Sequence, residues 1–262
     1  MAIDVKTVAH GAVLFGAMAE PENRRFVATV LGALTEDPKW TTTIFEQVTA
    51  GAVELRAALA WLARELRPRA YLEVGVRRGL SMAMVAARCP NVEICGFDLW
   101  IPEYAGVSNP GPAFVQSELR KVGYARQVHF VDGDSHRTLP AFFGHRRGSL
   151  LDRMRVQRWR RGRPALFDLI TVDGDHSLLG AYQDLRDVVP HCAVGGAVVF
   201  DDIAPDLTRV GRSALMAERG PDPHGWGDLL GVWRAVGQEF GNFRFFEYTH
   251  YPPGVGVAVR LA

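Results

Sequence analysis

Three observations predict an α/β fold whose mostly parallel, doubly wound sheet carries seven strands. From Pro68 onward, short β-branched apolar runs alternate with helical stretches, the pattern of right-handed βαβ units. Two of these runs, Leu169 to Val172 and Ala197 to Phe200, end in carboxylates, as buried parallel strands do when they deliver acids to a ligand-binding edge. The last two runs are joined by Pro252-Pro253-Gly254, too short a link for a crossover helix, so the final strand must pair antiparallel.

The elements follow in order. Residues 1–40 hold two weak helical patches broken around Glu20-Pro21 and Asp37-Pro38. From Thr42 to Leu66 one helix is expected, because Leu55, Leu59, Leu62 and Leu66 recur at steps of four, three and four, and Pro68 stops it. Strand and helix then alternate: strand 70–74, helix 79–88, strand 93–98, helix 112–122, strand 127–131 and helix 135–143. After a long connection come strand 167–173, helix 178–189, strand 196–201, a helix within 228–239, and strands 243–248 and 254–260. Residues 1–67 are read as a helical cap or dimerisation segment, a choice the sequence leaves open, and residues 68–262 as the main domain.

A chain of 262 residues, 48% hydrophobic and 23% charged, can bury the core of one such domain. Thirty basic and twenty-nine acidic residues leave a formal charge of +1, so no global field favours nucleic acid or an anionic membrane. The start of the chain reads neither as a signal peptide nor as a membrane span, and Cys89, Cys95 and Cys192 form no CxxC pair. A reduced, cytoplasmic protein is expected. The stretch 145–163, with eight arginines around Trp159, reads first as a solvated basic helix and second as a nucleic-acid surface.

The chemistry gathers at the strand ends. Gly75 and Gly79, in Glu73-Val74-Gly75-Val76-Arg77-Arg78-Gly79-Leu80-Ser81, let the backbone turn tightly from the first strand into a helix and approach a ligand closely. Arg77 and Leu80 stand where a dinucleotide fingerprint wants glycine, which disfavours NAD. Asp98, nineteen residues after Gly79, ends the second strand and suits a ribose diol. Asp134 and Ser135 follow the third strand and suit an adenine edge. An acidic pocket of this kind suits a ligand bearing a sulfonium and an ammonium group, its single carboxylate resting on the helix amides and the Ser81 hydroxyl. These features point to S-adenosylmethionine. Asp173, Asp175, Asp201 and Asp202 at neighbouring strand ends would repel one another, so a hard cation or a positive ligand is expected among them.

Tyr71 to Gly79, Val172-Asp173-Gly174-Asp175-His176-Ser177 and Val199-Phe200-Asp201-Asp202 resemble class I S-adenosylmethionine-dependent methyltransferases, in the branch of the macrolide-sugar (macrocin-type) O-methyltransferases and cephalosporin hydroxylase-like proteins. The resemblance spans about residues 68–260. It implies a Rossmann-like fold, binding of the cofactor by Glu73, Gly75, Gly79, Ser81, Asp98, Asp134, Ser135 and Asp173, and a magnesium or other hard divalent ion on Asp173, Asp201 and Asp202. It also implies His176 as the general base, with Asp173 beside it, and a small-molecule hydroxyl such as that of a natural-product sugar as acceptor. Two points stay open on the residues themselves. Asp175 shares a strand face with Asp173 and competes with it as a ligand, and Asp201 and Asp202 point oppositely unless the backbone turns between them. His224, Trp226 and Asp228, in a Gly/Pro-rich stretch, read as a lid over the acceptor or as a plain surface loop. Rival readings are a metal-independent or nucleic-acid methyltransferase and a cofactor-binding protein without turnover.

Overall fold

The computed structural model describes residues 16–35, 38–104, 107–144, 166–204, 229–250 and 253–262. The arginine-rich stretch 145–163 and the segment holding His224, Trp226 and Asp228 lie outside the described residues. Three helices come first: α1 (Pro21–Ala33), α2 (Pro38–Thr49) and α3 (Leu55–Leu66). Alternation then sets in with β1 (Ala70–Val74), α4 (Leu80–Arg88), β2 (Glu93–Asp98), a small hairpin of β3 (Glu103–Tyr104) and β4 (Val107–Ser108), α5 (Pro112–Lys121), β5 (His129–Asp132) and α6 (Ser135–Phe143). The second half holds β6 (Phe167–Val172), α7 (Leu178–Val188), β7 (Cys192–Asp201), α8 (Leu229–Glu239), β8 (Phe243–Tyr248) and β9 (Val255–Arg260).

Seven strands form one sheet in the order β5-β2-β1-β6-β7-β9-β8. Pairing is parallel from β5 through β7, and β9 runs antiparallel to both β7 and β8. The seven-stranded, mostly parallel α/β sheet expected from the sequence is therefore observed. Strand side chains alternate between faces: Tyr71, Ile94, Leu169 and Val199 join the core under α1, α3, α4 and α5, whereas Leu72, Cys95, Ile170 and Val198 join the core under α6, α7 and α8. The order reverses between β1 and β6, the switch point where open sheets of this type bind ligands.

One expected element is corrected. The helix predicted over residues 42–66 is two helices, because Gly51 takes a left-handed conformation with φ 83° and Glu54 starts a new helix by accepting a hydrogen bond from the Ala57 amide at 2.7 Å. The leucine periodicity belongs to α3 alone. This helix packs against β6, β7 and α4, so the last turns of the amino-terminal segment form part of the layer over the sheet and bring Arg56 near the strand ends. Strand β7 also begins earlier than expected, at Cys192, through a register irregularity opposite Phe167 and Leu169.

Candidate active site

The parallel register lines up the carboxyl ends. Val74 pairs with Phe97 and with Val172, Val172 pairs with Phe200, and Asp98 pairs with Asp132. Backbone bonds extend the ladder one step further, from Gly75 N–H to Phe97 O, from Asp173 N–H to Val74 O and from Gly133 N–H to Asp98 O. Asp98, Asp132, Asp173 and Asp201 thus meet along one edge.

The turn after β1 fits only glycine. Gly75 has φ 85°, and a Cβ there would lie 1.9 Å from the Asp173 carbonyl oxygen, so the missing side chain is what lets the β1 turn rest on the β6 end. Gly79, left-handed at φ 80°, caps α4, and a Cβ there would meet Val115 at 2.6 Å. Between them, Arg77 is also left-handed at φ 52° and donates its amide to Asp98 Oδ2 at 2.7 Å. Trp100, left-handed at φ 54°, donates its amide to Asp98 Oδ1 at 2.5 Å. Its indole bonds Asp132 at 2.8 Å and packs edge-on against Phe130. Each oxygen of Asp98 is thus held by one backbone donor. A carboxylate accepts about four hydrogen bonds, so two acceptor positions remain for a diol.

Glu73 and Ser81, expected at the cofactor, are hydrogen-bonded to each other beneath the turn. Ser81 Oγ donates to Glu73 Oε1 at 2.6 Å, the Tyr71 hydroxyl lies 2.6 Å from Glu73 Oε2 and 2.9 Å from Thr171 Oγ1, and both Glu73 and Ser81 are buried. Burial pushes the Glu73 carboxyl up to about 8 despite these bonds. This network fixes β1 to the first turn of α4 from within.

Asp134 caps α6, accepting from the His136 amide at 3.0 Å, and Ser135 lies in the first turn of that helix beside the buried Asp184. Asp175 accepts from the Ser177 amide at 2.8 Å and has its other oxygen 3.7 Å from His136. It turns to the side opposite Asp173.

Asp173 instead faces His176. His176 Nε2 lies 3.2 Å from Asp173 Oδ1 and Nδ1 lies 3.2 Å from Asp202 Oδ2, so the imidazole bridges two carboxylates. Among the described residues, Asp173, His176 and Asp202 form a group whose ligand atoms all lie within 4.8 Å of one another. Burial disfavours the imidazolium, but the hydrogen bond to Asp173 and the charges of Asp202, Asp173 and Asp201 outweigh it and push His176 up to about 10. The backbone does turn at the acidic pair, since Asp202 is left-handed with φ 60°. The two side chains diverge nonetheless. Asp202 joins His176, while Asp201 is buried with one oxygen 3.9 Å from Arg56 and the other without a partner. Burial beside Asp202 and Asp173 raises the Asp201 carboxyl, with Arg56 opposing. The set brought together is therefore Asp173, His176 and Asp202, not the three aspartates expected from the sequence.

Arg56 is the site residue that sequence reasoning missed. Its guanidinium bonds Glu54 at 3.0 Å and lies near Asp201, and its charge is reinforced by Glu54, Asp201 and Asp173. It comes from a helix outside the βαβ pattern, and no local motif flags it.

A fold with this strand order and an acidic edge at the switch point is that of a class I methyltransferase. Residues 72–203, half of the chain, match the methyltransferase-domain family, and the chain belongs to that family. A comparison with curated proteins finds no match. Among solved structures, the chain is similar to the O-methyltransferase TomG of Streptomyces achromogenes, involved in tomaymycin synthesis and bound to S-adenosylmethionine, with 19% identity, TM-score 0.52, and 87% of this chain and 92% of that one covered. It is also similar to cofactor-bound Rv0187 from MTB, with 20% identity, TM-score 0.50, and 86% and 91% covered. A third is the O-methyltransferase of Bacillus cereus in complex with S-adenosylhomocysteine, with 14% identity, TM-score 0.50, and 92% and 91% covered. These likenesses establish the shared fold. Among the described residues, no helix is long and apolar enough to cross a membrane.

Proposed function

We propose that this chain transfers a methyl group from S-adenosylmethionine to a hydroxyl of a small molecule, with His176 as base and a divalent cation at Asp173 and Asp202. One observation carries the reading: Asp173 both abuts the Gly75 turn and faces His176, so a single residue joins the nucleotide side of the edge to the acid and imidazole side.

The roles follow from the geometry. The free acceptor positions of Asp98 take the ribose hydroxyls, the backbone amides at the start of α4 take the carboxylate, and the acidic edge favours the sulfonium and ammonium groups. Asp134 and Ser135 stand at the adenine side. The residues fit a hard or borderline divalent ion, because the carboxylates of Asp173 and Asp202 converge with the His176 imidazole within coordinating reach. Such an ion, when bound, supplies Lewis-acid activation of the acceptor hydroxyl and neutralises the two carboxylates that His176 otherwise bridges. His176 Nε2, released from Asp173, accepts the hydroxyl proton, while Asp202 at Nδ1 keeps the ring oriented. Holding the oxygen in line with the methyl group supplies much of the rate gain. Hydroxylated natural products, sugars among them, are the first acceptors to test. A soluble cytoplasmic enzyme acting without nucleic acid, with its amino-terminal helices available to a second copy, completes the proposal.

The test is transfer of isotopically labelled methyl from S-adenosylmethionine to a panel of small polyols, phenols and glycosides, before and after chelation. Label in a hydroxylated product, lost with chelator and restored by a divalent ion, is the expected result. Transfer that survives chelation would remove the cation, and labelled RNA in place of a small product would overturn the acceptor class.

A further inference from the structure

Arg56 lies outside every element predicted to carry chemistry, yet it stands at the acidic edge with only 15% of its side chain exposed. Its position is fixed from two sides. Residue 56 is the second residue of α3, and the preceding Glu54 both caps that helix through the Ala57 amide and bonds the guanidinium at 3.0 Å. Helix α3 in turn is packed on β6, which Asp173 follows, and on β7, which ends in Asp201. The guanidinium cannot swing away without breaking the Glu54 bond, so its charge is a fixed part of the site.

We propose, resting on the cation reading above, that Arg56 is a positioning residue that withholds Asp201 from the cation site, so that the divalent ion is held by Asp173 and Asp202 in competition with a tethered counter-ion. Two geometric facts support this. Asp201 and Asp202 are adjacent in sequence but part at the left-handed Asp202, one toward Arg56 at 3.9 Å and the other toward His176 at 3.2 Å. The second Asp201 oxygen is buried without a partner, an arrangement that costs stability unless another group completes it, and so Asp201 is poised to become a ligand once the guanidinium is gone. A positive charge fixed near a divalent ion repels it at any dielectric found in proteins, and its loss therefore tightens binding as well as freeing a third carboxylate.

The experiment titrates chelator-treated full-length protein with Mn2+, following free Mn2+ by electron paramagnetic resonance and bound water by proton relaxation. Arg56→Gln keeps a donor for Glu54 but drops the charge, and it is expected to bind Mn2+ at least about tenfold tighter than wild type, with fewer waters left on the ion. Arg56→Lys keeps the charge and is expected to stay near the wild-type affinity. Asp201→Asn is expected to retain most of the affinity in the wild-type background, whereas Asp202→Asn loses it; this pair remains informative if the Gln variant fails to fold. Equal or weaker Mn2+ binding by Arg56→Gln, or an equal loss in Asp201→Asn and Asp202→Asn, overturns the inference alone. Mn2+ bound by none of these proteins overturns the cation reading itself and the inference with it.

Discussion

The two halves of the carboxyl edge are built by different means. Around Asp98 the geometry is made by backbone: a glycine turn, two left-handed residues and two amides aimed at one carboxylate, all within residues 75–100. Around Asp173 it is made by charge: an imidazole between two aspartates, and a third aspartate drawn to a guanidinium more than a hundred residues earlier in the chain. Backbone donors cost no side-chain entropy and do not titrate, so the first half is a preorganised receptor. A charged cluster rearranges whenever a cation, a proton or a substrate changes its balance, so the second half is where the proposed function places the chemistry.

The sharpest way to separate the halves is His176→Ala. Turnover should fall by about a hundredfold to ten-thousandfold, the usual span for a general base, measured as single-turnover methyl transfer with saturating donor. A variant at full rate would leave the charged half without a chemical role. Gly75→Ala should act on both halves at once, because its Cβ would strike the Asp173 carbonyl oxygen in a left-handed conformation that by itself costs about 1–2 kcal/mol. A loss of several kcal/mol in urea unfolding is expected, and a loss under about 1 kcal/mol would show that the turn does not rest on β6.

A pH-dependent effect concerns the buried Glu73 beneath the turn. Burial pushes the Glu73 carboxyl from its ordinary value of about 4.5 up to about 8, so its neutral form is the one the fold prefers. Its contribution to stability is fully present below about pH 4.5 and is lost as pH rises to about 8. Glu73→Gln keeps one acceptor for Ser81 or Tyr71 and cannot ionise. Its unfolding free energy should therefore fall less than that of wild type between pH 5 and 8, and parallel curves would place the titration elsewhere.

The same division governs what could be read from the sequence. Strand ends, the Gly75 and Gly79 turn, and Asp98 are legible because short apolar runs and glycine conformations are local properties, and the predicted strands 70–74, 93–98 and 243–248 coincide with those observed. The break at Gly51 is lost when the helix is extended back to Thr42, since the leucine periodicity begins only at Leu55. The inward turn of Ser81 onto Glu73 needs the Tyr71 and Thr171 hydroxyls, which only the paired strands bring together. The parting of Asp201 from Asp202 depends on Arg56, and an ion pair across that distance in the chain leaves no signature in either segment.

Calorimetric titration of S-adenosylhomocysteine into wild type, Asp98→Ala and His176→Ala tests the central claim, that a backbone-built receptor and a charged reaction centre share this edge. One site per chain is predicted for wild type, with affinity weakened about tenfold to a hundredfold in Asp98→Ala by loss of charge-assisted hydrogen bonds and unchanged within about threefold in His176→Ala. No binding to wild type, or equal weakening in both variants, would contradict it.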